Sequence, residues 1–126
     1  MVKRILWISR HAPLIKQKEE LEKIFGKCLI IQYGEKIRDV DHVLELIRQY
    51  DPNEIVCVLP LTIISQLLER KIHPIWAEMK LLHVCESEKC PEYRFTSDWI
   101  DPSSRRHFRF VKFKRIVKLE LVFQEL

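Results

Sequence analysis

Three short apolar runs constrain this chain most: Ile5-Leu6-Trp7-Ile8, Cys28-Leu29-Ile30-Ile31 and Ile55-Val56-Cys57-Val58-Leu59. None alternates with polar residues. A strand with one face in water alternates; a strand covered on both faces reads as an unbroken apolar run. The segments between the runs repeat at helical spacing instead. Leu14, Leu21, Ile24 and Phe25 share one helix face from Pro13 to Phe25, with Gly26 as its stop. Val40, Val43, Leu44 and Ile47 share another, capped by Asp39 or Asp41 and ended by Asp51-Pro52. Ile64, Leu67, Leu68 and Ile72 share a third, which Thr62 is placed to cap. A short fourth strand, Ile75-Trp76-Ala77, follows Pro74 as an edge.

Alternating strands and helices require right-handed crossovers and a parallel sheet. The expected fold is therefore α/β: a Rossmann-like parallel sheet of about four strands in the order 2-1-3-4, with a β-rich C-terminal extension. At 126 residues one domain is expected, divided into a core over 1–82 and an extension over 83–126. In the extension the apolar period becomes two from His107 to Phe123. Its phase slips between Phe110 and Val111, the mark of a bulge. A partner strand for it is available only from about Tyr93 to Ile100. The three tryptophans read differently: Trp7 and Trp76 lie on strands and read as core, whereas Trp99 has no assigned role.

The composition, 47% hydrophobic and 32% charged, is that of a folded protein. No apolar run is long enough to span a bilayer. The basic, apolar start is too short for a secretion signal and is read as the first strand, so a cytoplasmic location with no membrane partner is expected. Two glycines and abundant Lys, Glu and Ile are a thermophile's tendency. From Arg105 to Leu126 seven bases stand against two acids, while the rest of the chain carries fifteen bases and sixteen acids. The excess positive charge thus lies wholly in the tail.

In an open parallel sheet the loops at the carboxyl ends of the strands converge where the winding reverses. Under the order above, strand one delivers Ser9, Arg10 and His11 there; strand two Glu35 and Lys36; strand three Pro60 and Thr62. The loop after strand one has no glycine, so the backbone cannot cradle a phosphate as dinucleotide-binding and nucleoside-triphosphate loops do. No such cofactor is expected. Side chains can hold an anion instead. Arg10 can grip a phosphate through two parallel hydrogen bonds; Thr62 and the first amides of its helix form an anion site; His11 can move a proton near neutral pH. Against this stands the plainer reading, in which Arg10 simply pairs with Glu35 or Glu78 at the surface.

The strings "ISRHAP" (8–13) and "VLPLTIISQLLERKIHPIWAEM" (58–79), with the strand–helix rhythm between them, resemble small CRISPR-associated Rossmann-like accessory proteins of the ring-nuclease type, over about residues 4–80. The resemblance implies a homodimer that binds cyclic oligoadenylate and cuts it without a metal. It implies Arg10 and His11 as catalytic residues and Ser9, Lys36, Pro60 and Thr62 as ligand-binding ones. The segment beyond residue 82 has no counterpart in that pattern.

Two further signals remain. "HVCESEKC" places His83, Cys85 and Cys90 together, with His107 or His73 as a fourth donor; zinc and a disulfide both suit this spacing, but free thiols with no metal are the expectation. The tail interleaves Arg105, Arg106, Arg109, Lys112 and Lys114 with Phe108, Phe110 and Phe113. Rings beside cations suit single-stranded nucleic acid, and the alternative function is a non-catalytic nucleic-acid-binding or interaction protein of viral or mobile-element origin. A half-buried strand with its lysines in water accounts for the same pattern.

Overall fold

The computed structural model describes residues 1–86 and 90–126. The chain is α/β, with a single mixed sheet of six strands. Its elements run β1 (Lys3–Ile8), α1 (Ile15–Phe25), β2 (Cys28–Tyr33), α2 (Val40–Tyr50), β3 (Glu54–Cys57), α3 (Leu61–Glu69), β4 (Ile75–Val84), β5 (Asp98–Ile100) and β6 (Arg106–Arg115). The strand order is β2-β1-β3-β4-β6-β5. The first four strands are parallel, and β6 then pairs antiparallel with both β4 and β5.

Two buried faces account for the apolar runs of β1 and β3, whereas β2, at the sheet edge, leaves Leu29 53% exposed, contrary to the expected double cover. Leu6, Ile8, Ile55 and Cys57 pack under α2 and α3 through Val43, Leu46, Ile63 and Leu67. Ile5, Trp7 and Val56 pack on the other side with Leu21 of α1, Ala77 and Phe110. Local signals set the helix ends. Asp39 accepts a hydrogen bond from the His42 amide and caps α2. Gln17, fully buried, reaches back to the Leu14 amide at 2.8 Å. Gly26 ends α1 at φ 79°, a left-handed angle that favours glycine.

The structure departs from the expected fold in four places. The sheet has six strands, not about four, because β5 and β6 of the C-terminal extension pair into it. β4 is ten residues long and passes through the expected boundary at 82–83; it is an interior strand, not a short edge, because β6 pairs along it. β6 stops at Arg115. From Val117 onward the alternating apolar residues have no strand to pair with, and Leu121, Val122 and Phe123 are exposed. Finally, Thr62 does not cap α3. Pro60 holds the cap position, its carbonyl accepting from the Ile63 and Ile64 amides, which leaves Thr62 in the first turn, exposed.

The phase slip at Val111 is a bulge. Glu78 pairs with Lys112 and Met79 with Phe110, so Val111 is the extra residue. Phe110 and Phe113 consequently share a face, their ring centroids 4.9 Å apart. A second bulge makes Leu82 the extra residue on β4 and sets His83 opposite His107.

Candidate functional site

Where the winding reverses between β1 and β3, two adjoining hollows of about 370 and 410 Å³ open at the carboxyl ends of the strands. Ser9, Arg10 and Val58 line both. His11, Trp76, Met79, Trp99 and Phe108 complete the first; Glu35, Lys36 and Pro60 belong to the second. Thr62, expected to share this place, lines neither hollow.

The first hollow is walled by rings. His11 stacks on Trp99 with centroids 5.1 Å apart and an interplanar angle of 29°, and Trp99 stacks in turn near Phe108 at 5.9 Å and 22°. The His11 segment is folded back by Trp7, whose indole N–H donates to the His11 carbonyl at 3.0 Å. His11 Nδ1 lies 2.8 Å from the Ala12 carbonyl. A carbonyl only accepts, so Nδ1 carries the proton and the neutral ring keeps Nε2 as a proton acceptor. Arg10 is exposed and, among the described residues, has no carboxylate within 4.0 Å. Its charge is felt at Asp101, whose carboxyl is lowered chiefly by hydrogen bonds from the Ser103 amide and the Ser104 hydroxyl, with Arg10 adding to them. Glu78, one of the two expected partners of Arg10, pairs with Lys114 instead.

The rings were not legible as a wall. Trp76 reads as core in the sequence, yet it is 42% exposed, because no helix covers β4 on the side that α2 and α3 occupy over β1 and β3. Phe108 and Trp99 come together only through the β5–β6 pairing, which sets them opposite each other.

The basic strand looks different in three dimensions. Asp98 is fully buried and Arg109 grips it with two hydrogen bonds, Nε at 2.8 Å and Nη2 at 3.0 Å. Burial alone would raise the Asp98 carboxyl. Arg109, the Arg94 amide, His107 and Ser97 outweigh burial and hold it well below the usual carboxylate range. Arg105 donates to the Glu86 carbonyl and Lys114 to Glu78. Arg106 and Lys112 are the exposed members of the set whose side chains make no such bond among the described residues.

At the far end of β4, His83, Cys85, Cys90 and His107 converge, with one donor atom from each within 4.8 Å of all the others. His73, the other histidine considered for this group, precedes β4 at its opposite end, roughly 30 Å away at the usual rise of a strand; it hydrogen-bonds the Ile116 carbonyl. No disulfide joins Cys85 to Cys90.

Among the described residues, no helix is long and apolar enough to cross a membrane. The chain matches no family model, no curated protein and no solved structure.

Proposed function

We propose that the crevice between β1 and β3 binds a nucleotide-like phosphodiester. The observation that carries this reading is the juxtaposition at one strand-end opening of a guanidinium, Arg10, that has no carboxylate within 4.0 Å among the described residues, with a stacked wall of His11, Trp99 and Phe108. A base offers a flat π-face to such a wall, worth roughly 1–3 kcal/mol per stacked base. A phosphate offers paired oxygens to Arg10, and Lys36 stands across the second hollow as a further cation.

Cyclic oligoadenylate is the ligand that also fits the sequence resemblance. Its cleavage needs no metal. The ribose 2′-oxygen bonds to the adjacent phosphorus while the bond from phosphorus to the 5′-oxygen breaks. His11 Nε2 takes the 2′-proton, the departing oxygen gains one from water, and Arg10 balances the charge building on the phosphate. The products are a 2′,3′-cyclic phosphate and a free 5′-hydroxyl. A homodimer would offer two such sets to a two-fold symmetric ring.

The test is quenching of tryptophan fluorescence by cyclic tetra- and hexa-adenylate and by adenosine monophosphate, with products followed by chromatography in the absence of added metal. Quenching is expected, and Arg10→Ala is expected to weaken binding roughly 10- to 150-fold, the loss of about 1.5–3 kcal/mol for a charged hydrogen bond. No quenching by any adenylate at millimolar concentration would end this reading. Binding without turnover would retain the ligand and remove the reaction.

The alternative of nucleic-acid binding through β6 has less support. Three of its five cations are engaged with the protein's own carboxylates and carbonyls.

A further inference from the structure

We propose that His83, Cys85, Cys90 and His107 hold one tetrahedral zinc(II) ion in a closed, structural site. His83 Nε2 lies 3.1 Å from Cys90 Sγ, and Cys90 Sγ lies 3.5 Å from His107 Nδ1. Zinc–nitrogen and zinc–sulfur bonds of about 2.0 and 2.3 Å at tetrahedral angles place neighbouring donors roughly 3.3–3.8 Å apart. The observed spacings bracket that range, and the widest, 4.8 Å, closes with small side-chain rotations.

The outer surroundings of the two histidines argue for a metal more strongly than the donor count. Each ring turns one nitrogen inward and offers the other to a carboxylate. His107 presents Nδ1 to the cluster while Nε2 bonds Asp98 at 2.7 Å; His83 presents Nε2 while Nδ1 stands 3.5 Å from Glu92. An outer carboxylate that holds the far N–H fixes the tautomer, leaving the inward nitrogen a lone pair to donate. Asp98 is itself held by Arg109, Ser97 and the Arg94 amide. This is a preorganised acceptor for a cation: His83 and His107 stand on strands, and His107 at 0% and Cys85 at 3% exposed are buried.

Two other uses of these groups fit less well. A cysteine nucleophile activated by the Cys90–His107–Asp98 line needs one thiol and one imidazole; here a hollow of about 390 Å³ opens beside the cluster, but a second thiol and a second imidazole close on the same point, two donors more than that chemistry uses. A Cys85–Cys90 disulfide leaves both inward imidazole nitrogens without a partner. Four protein donors mark a site without an open position, hence structure rather than catalysis. On binding, Cys85 and Cys90 each release a proton to solvent and no electron moves.

The experiment is metal analysis of the full chain purified under reducing conditions, followed by replacement with cobalt(II). About one zinc per chain is expected, with cobalt giving the intense visible absorption of a tetrahedral centre and a thiolate charge-transfer band. Cys90→Ser and His83→Ala are expected to lose that spectrum, and Cys28→Ser, at the start of β2, to keep it. Because the cobalt spectrum is read on the unmodified chain, a misfolded variant does not decide the matter. Wild-type protein that takes up neither metal, or takes up cobalt without a thiolate band, overturns the proposal. So does a Cys90 thiol that is alkylated as fast with zinc as without it.

Discussion

At the residue scale, the side chains that matter most are those whose partners are hidden in the sequence. Arg109 sits in a basic run yet is bound bidentately to a buried aspartate. Removing it leaves the buried Asp98 charge to His107, Ser97 and the Arg94 amide alone, a loss at the low end of that for breaking a buried pair, about 3 kcal/mol. Arg109→Ala is therefore expected to lower unfolding stability by roughly that amount in urea titrations, whereas Arg106→Ala, at an exposed position, should stay within about 0.5 kcal/mol. Cys57 gives a pH prediction. Burial pushes its thiol up to about 12 from 9.0. The unfolded chain releases this proton above about pH 9 while the folded chain retains it. The contribution to stability is thus flat below that pH and falls as pH rises toward 12, where it reaches order 4 kcal/mol. Thermal melts across this range should show wild type losing stability relative to Cys57→Ala as pH rises. In the folded protein at neutral pH the thiol should resist iodoacetamide.

At the element scale, strands and helices were legible wherever burial follows chain periodicity. The three apolar runs are β1, β2 and β3, and the Asp39 cap and the slip at Val111 are present as the residues suggest. The signal failed where burial depends on what lies over a strand. β4 could not be read as a ten-residue strand because its outer half alternates irregularly around the extra residue Leu82, and because its partner arrives more than twenty residues later. The apolar alternation from Val117 to Phe123 imitates a strand, but pairing decides, and the sheet offers that segment no neighbour. Two substitutions test the local account. Asp39→Ala should destabilise α2 by about 1 kcal/mol, read by denaturant unfolding. Deleting Val111 should cost no more, about 1 kcal/mol or less. Without the extra residue Phe110 and Phe113 stand two apart and still share the core face with Trp7, and the Glu78–Lys112 and Met79–Phe110 pairs stay in register.

At the scale of the whole molecule, charge and topology make separate predictions. If all five cations singled out in the tail tracked phosphates, single-strand affinity would fall with salt at a log–log slope near −3.5, at roughly −0.7 per phosphate. With only Arg106 and Lys112 available the slope should be no steeper than about −1.4, measured by anisotropy with labelled oligonucleotides between low and physiological salt. The position of the crevice was legible from strand order alone, since winding reversal needs no knowledge of side-chain contacts; its aromatic wall was not, because it is assembled by strands from the other end of the chain. That assembly has a consequence. β5 is three residues long, and successive side chains of a strand point to opposite faces. Asp98 faces the histidine–cysteine cluster, and its neighbour Trp99 faces the crevice. One peptide unit thus serves as a pivot between two chemically unrelated grips. Were the proposed ion and the proposed guest both to bind, any stiffening passed along this unit would be felt at both ends, and by thermodynamic reciprocity each would change the other's affinity by the same factor.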